Sequence, residues 1–137
     1  MNFWFFKKRV SRIFKKRRFF KEDKIIFEER KAEARDLVLG RIQELNKVYN
    51  YSYKKISIKN MISRWGSCSR NGNLSFNYRP VLLPPNLVDY VIVHELCHLG
   101  EFNHSRDFWN LVARTFPDYQ KLKEELKMGS ISRALAR

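Results

Sequence analysis

Three histidines and one glutamate dominate the chemistry open to this chain. His94-Glu95-Leu96-Cys97-His98 is an H-E-x-x-H motif, and His104 follows six residues later, so every histidine of the sequence lies between 94 and 104. On a helix, residues four apart stand one turn above another on the same face, so the imidazoles of His94 and His98 can reach a single ion. A catalytic zinc site takes three protein ligands and leaves a fourth position for water. His94, His98 and His104 supply that number, one zinc per chain. Glu95 sits among apolar helix residues, where an isolated carboxylate is costly and calls for a compensating charge. A bound dication provides one, and Glu95 acting as general base on metal-bound water amounts to metal-assisted hydrolysis. A buried structural histidine pair is the plainer reading, but three histidines in this register outweigh it.

The five-residue gap between His98 and His104 equals that of the metzincin pattern, which requires Gly where this chain has Glu101. The chain is therefore not a metzincin. Cys97 lies inside the motif but points off the histidine face, and reads as a small core residue. Cys68 reads as a turn or core thiol. Asp89 and Asp107 are the carboxylates available to orient a ligand imidazole, although a cap or surface role suits each better. Trp65 is expected to wall the cleft, while Phe108 and Trp109 read as core.

These groups need elements to hold them. The motif lies in a predicted helix from about Pro85 to Leu99 that is apolar nearly all round, the mark of a buried core helix. Pro85 suits its first position and Gly100 its end. Ser105 caps a following helix through Phe116, and a last helix covers roughly Asp118 to Met128. Upstream, Ala34, Leu37, Val38, Ile42, Leu45 and Val48 recur at helical spacing across Ile25–Asn50, with Gly40 as a weak point. Tyr51, Tyr53, Ile56 and Ile58 read as a strand. Arg64–Ser69 reads as a bend and Arg70-Asn71-Gly72-Asn73 as a tight hairpin turn. The alternation Asn73-Leu74-Ser75-Phe76-Asn77 reads as a second strand. We expect it to be an edge beside the cleft, onto which an extended peptide adds, with Asn73, Ser75, Asn77 and Trp65 as substrate contacts.

Composition narrows the setting. At 137 residues the chain is one domain's worth. Its hydrophobic share of 44% excludes a wholly disordered chain, and no apolar run nears the roughly 20 residues of a membrane-spanning helix. Two cysteines make no disulfide framework, and charge begins at Lys7 with no apolar signal segment before it, so a cytoplasmic location is expected. The net charge of +14 is lopsided: residues 1–24 hold ten Lys/Arg against Glu22 and Asp23, or +8. Interleaved with Phe3, Trp4, Phe5, Phe6, Phe14, Phe19 and Phe20, this basic aromatic arm suits nucleic acid or an anionic membrane surface, or packs on the domain as a first helix. The expected division is an arm over 1–24 and a domain over 25–137.

Several motifs occur in a family's order: Arg64-Trp65-Gly66-Ser67-Cys68-Ser69, Gly72-Asn73-Leu74-Ser75-Phe76-Asn77, Pro84-Pro85, Asp89 through Leu99 around H-E-x-x-H, Asn103-His104-Ser105, and Phe108-Trp109. Over roughly residues 31–128 the chain resembles the YgjP-like metallopeptidases, relatives of the SprT and WLM proteases. The resemblance implies a zincin-like fold, zinc on His94, His98 and His104, and Glu95 as catalytic base. It also implies a β-rich N-terminal segment, where this chain has its basic arm. The reading is thus a small α+β zincin-like domain, with a short sheet or hairpin packed on a buried H-E-x-x-H helix and flanking helices. Its expected function is zinc-dependent hydrolysis of peptides or unfolded protein. A zinc ribonuclease, and a non-catalytic nucleic-acid or membrane binder with a structural metal, are the alternatives, both prompted by the positive charge.

Overall fold

The computed structural model describes residues 3–61 and 63–135, with side chains over 21–61, 63–79 and 82–127. Helix α1 spans Phe3–Leu45 without interruption, so the junction at 24/25 falls inside it. Its buried stripe is narrow: Ala34, Val38, Ile42 and Leu45 face the core, while Leu37 is exposed. Gly40 does not break the helix, because it lies on the solvent side with no atom near its missing side chain.

Helix α1 is tied to the domain from within the basic arm. Asp23 is buried against Arg79, accepting two bonds from Nη2 at 2.6 Å and a third from the Tyr78 hydroxyl at 2.7 Å. Burial alone would raise the Asp23 pKa, but hydrogen bonds from Tyr78 and Asn60 and the Arg79 charge bring it below the ordinary carboxylate value.

Strands β1 (Lys55–Lys59), β2 (Gly66–Cys68) and β3 (Asn73–Asn77) form one sheet in the order β1-β3-β2. β1 runs parallel to β3 and β2 antiparallel to it. Ile56, Ile58, Leu74 and Phe76 fill the core beneath the sheet. β1 starts later than its aromatic spacing suggests: Tyr51 lies outside it, stacked on Tyr49 at 5.6 Å. The expected hairpin turn is present between β2 and β3, closed by Gly72 N–H to Ser69 O at 3.0 Å, with Gly72 at φ +84 where a side chain would be strained.

The segment expected to be a plain bend therefore contains β2, and the strand expected at the edge is central. β3 pairs along both sides, so its backbone groups are committed and no peptide can add to it. That overturns the edge-strand reading of Asn73, Ser75 and Asn77. A short 3₁₀ turn, Arg79–Leu82, leads to α2 (Pro85–His98), which starts with Pro at its first position as expected. Ten of its residues are buried, and it packs against α1, β2, β3 and the two following helices. Those are α3 (Arg106–Ala113), capped by the Ser105 hydroxyl, and α4 (Tyr119–Leu135). No described helix is long and apolar enough to cross a membrane.

Candidate active site

His94 and His98 project from successive turns of α2, and the loop after it carries His104 back over them. The Nε2 atoms of His98 and His104 lie 3.2 and 3.1 Å from that of His94. Ligands about 2.0–2.1 Å from a tetrahedral zinc stand about 3.3 Å apart, so the His94 nitrogen already stands at metal-site spacing from each of the other two, and all three lie within 4.8 Å of one another. The tautomer agrees. A carbonyl can only accept, so the 2.9 Å contact between His98 Nδ1 and Glu101 O puts the proton on Nδ1 and leaves Nε2 a free lone pair. Burial, aided by the neighbouring His98, His104 and Lys123, pushes the His94 pKa down to about 3, and burial also lowers His98. Both rings are neutral at pH 7, the form a metal requires. Among the described residues these three histidines make the one cluster able to hold an ion, and their donor set fits zinc.

Packing fixes the cluster from below. Phe108 is fully buried, stacks on His98 at 4.4 Å, and meets His94 and His104 edge-on at 4.9 and 5.0 Å. Gly100 is required for room rather than for an unusual backbone angle: a side chain there would collide with the Tyr51 hydroxyl and press on Leu111. That close approach lets the loop turn back toward α2.

Glu95 is 6% exposed, and burial pushes its pKa up to about 8 against the opposing charge of Arg64. It lies directly under β2. A Cβ on Gly66 would stand 2.8 Å from Glu95 Cγ and 3.1 Å from both Glu95 Oε1 and Ser75 O, so only glycine lets strand and carboxylate share this space. Together these groups border an open cleft of about 630 Å³, lined by Arg64, Trp65 and Gly66 from the start of β2 and by Trp109, Lys123 and Leu126 from α3 and α4.

Of the residues singled out from sequence, His94, His104, Glu95 and Trp65 line this cleft, and His98 joins them through the histidine cluster beneath it. Asn73, Ser75 and Asn77 do not line it. Asn77 is fully buried and holds the cleft wall from behind, donating from Nδ2 to the carbonyls of Met61 at 2.7 Å and Arg64 at 2.8 Å. Asp89 forms a two-bond ion pair with Arg41, both at 2.8 Å, and Asp107 occupies the first turn of α3, so the Glu101 carbonyl takes the orienting part considered for them. Burial raises both thiols to about 11, which leaves Cys68 and fully buried Cys97 protonated and inert. Tyr90, one turn before His94 on the same helix face, also lines the cleft; its i, i+4 spacing was the available signal. Lys123 and Arg64 carried no such signal, because they arrive from distant segments.

The chain matches the YgjP-like metallopeptidase domain over residues 7–128. It belongs to the YgjP-like family. The matched region begins well before residue 31, where the resemblance read from the sequence starts, and so takes in most of the basic arm. The side chains of residues 1–20, on which a nucleic-acid or membrane contact would depend, lie outside the described residues. Among solved structures, this YgjP-like chain is similar to the metallopeptidase zymogen abylysin of Pyrococcus abyssi, with TM-score 0.62 and 19% identity over 67% of this chain and 93% of that one. It is also similar to the metallopeptidase zymogen jannalysin of Methanocaldococcus jannaschii, with TM-score 0.53 and 28% identity over 74% and 96% of the two chains. The first likeness establishes the α+β zincin-like fold. None of the curated proteins matches the chain.

Proposed function

We propose that this YgjP-like metallopeptidase is a zinc-dependent hydrolase of peptide bonds in unfolded or extended chains. The observation that carries the reading is the convergence of three imidazole nitrogens beside a buried carboxyl group at an open cleft. His94, His98 and His104 would hold one zinc ion. When bound, zinc supplies Lewis acidity that polarises a carbonyl and brings the pKa of water to about 7. Glu95 is the group placed to move the proton. Its position under β2 sets it at the cleft, and a dication held by the adjacent histidines would favour its ionised form, the form able to accept a proton from attacking water. The same carboxyl then returns the proton to the leaving amine. Tyr90 and the two tryptophans shape the walls, and burial holds the Tyr90 hydroxyl protonated, with its pKa pushed up to about 12, so it can donate a hydrogen bond.

The test couples metal analysis to turnover. Wild-type protein should carry one zinc per chain and cleave denatured casein but not RNA. Glu95→Gln should retain the zinc and lose about 10²–10⁴-fold in turnover, the usual range for a lost acid–base group. His104→Ala should lose most of the metal. Full turnover in Glu95→Gln, or cleavage of RNA in place of casein, would refute the assignment.

A further inference from the structure

The cleft carries an unbalanced charge. Glu95 is the only carboxylate among its lining residues, while Arg64 and Lys123 stand as exposed cations contributed by separate elements. Other basic groups near the core are neutralised: Arg79 by Asp23 and Arg41 by Asp89. Arg64 and Lys123 enter no ion pair among the described residues. Each is held in place from its own side. The Arg64 carbonyl is pinned by the buried Asn77 amide, and Trp65 beside it forms part of the same wall. The Lys123 ammonium sits 4.9 Å above the Trp109 ring, which stacks on Tyr119 at 4.8 Å and lies 5.9 Å from the His94 ring. Two cations beside aromatic side chains, neither in a salt bridge and only Arg64 acting at longer range on Glu95, focus positive potential into the place where substrate must lie. A carboxylate entering there can pair with either cation and breaks no salt bridge among the described residues.

We infer that the cleft selects peptides with Asp or Glu close to the scissile bond, and that Arg64 and Lys123 read those side chains; this rests on the peptidase function proposed above. Charged groups that are rooted in place but unpaired give discrimination more than bulk affinity, through attraction to the right sign and repulsion of the wrong one. Peptides with Lys at the same positions should be excluded by the same two groups.

The experiment uses the full-length zinc-loaded protein and three end-capped decapeptides of one backbone, with the residues flanking the central bond set to Glu, Gln or Lys. We expect kcat/KM to fall about tenfold from Glu to Gln and about tenfold again to Lys at low salt, with the gap narrowing in 0.5 M salt, where the Debye length falls to about 4 Å. Arg64→Gln and Lys123→Gln should each cut the Glu-to-Lys ratio by about five- to tenfold while zinc content stays at the wild-type level. Lys24→Gln, an exposed change on α1, should leave the ratio alone and so separates the cleft from the general positive charge of the chain. Equal kcat/KM for the Glu and Lys peptides overturns the inference, as does a loss of preference in Lys24→Gln as large as in the cleft variants. If none of the peptides is cleaved, the peptidase reading falls, and fluorescence anisotropy of the same peptides then decides the selectivity. Charge-ranked binding that the Arg64 and Lys123 variants abolish sustains it, and charge-blind binding overturns it.

Discussion

Replacing Gly66 by Ala tests how tightly Glu95, the proposed general base, is held. The added Cβ would lie 2.8 Å from Glu95 Cγ and 3.1 Å from Glu95 Oε1, and also 3.1 Å from the Ser75 carbonyl. Carbon atoms in ordinary contact stand about 3.5–4.0 Å apart, so Glu95 or β2 must retreat by about 0.7–1.2 Å. β2 has little freedom, since Gly66 pairs with Phe76 of the central strand and Trp65 O accepts from Asn77 N–H at 2.9 Å. The carboxylate side chain is the softer partner. A displacement of about 1 Å from productive geometry costs about 10²-fold in rate, and forcing an extra carbon into packed surroundings costs about 1–3 kcal/mol of stability. Gly66→Ala should therefore lower kcat on a cleaved peptide about 10²-fold, with KM changed far less and one zinc still bound, because the three histidines are untouched. Urea unfolding should register the smaller stability loss. A variant with kcat within twofold of wild type would refute the claim that Gly66 sets the position of Glu95. Loss of zinc alongside activity would refute it equally, by showing that the clash is relieved through the metal cluster.

The buried Asp23–Arg79 pair gives a second test. Asp23→Asn leaves a buried guanidinium without its carboxylate and should cost about 3–5 kcal/mol at pH 7 by chemical denaturation. The folded-state pKa of Asp23 is depressed, so its contribution is present above the unfolded value and disappears as pH falls through the folded one; the gap between wild type and Asp23→Asn should shrink below about pH 4. Gly40→Ala removes backbone freedom from an exposed helix position with open space around it, and should add about 0.5–1 kcal/mol of stability, seen as a higher Tm, with peptide cleavage unchanged.

Local geometry explains why much of the site was legible in the chain alone. His94, Glu95 and His98 share one helix, where the 3.6-residue period dictates which side chains stack and which do not, and His104 follows within a loop too short to travel far. Pro85 at a helix start, Ser105 as a cap and Gly72 in a hairpin turn are likewise decided by φ angles and hydrogen bonds inside a few residues. Strand order is another matter. The pattern of β3 shows a strand with one face in the core, yet backbone pairing groups are alike in every strand, so nothing local tells a central strand from an edge. Only the crossover that returns the chain parallel to β1 put β3 in the middle and left β2 outermost, against Glu95. Tertiary structure also decided that Asn77 braces the cleft wall instead of meeting substrate, and that Asp23 in the basic arm finds Arg79. Lys123 and Arg64 reach the same cleft from separate elements, α4 and the approach to β2. Those meetings join residues tens of positions apart, and their energy exists only after the core has closed and excluded water. The spacing of residues along one helix therefore determined how His94, Glu95 and His98, two proposed ligands and the proposed base, stand together, while the long-range packing of separate elements decided what surrounds them.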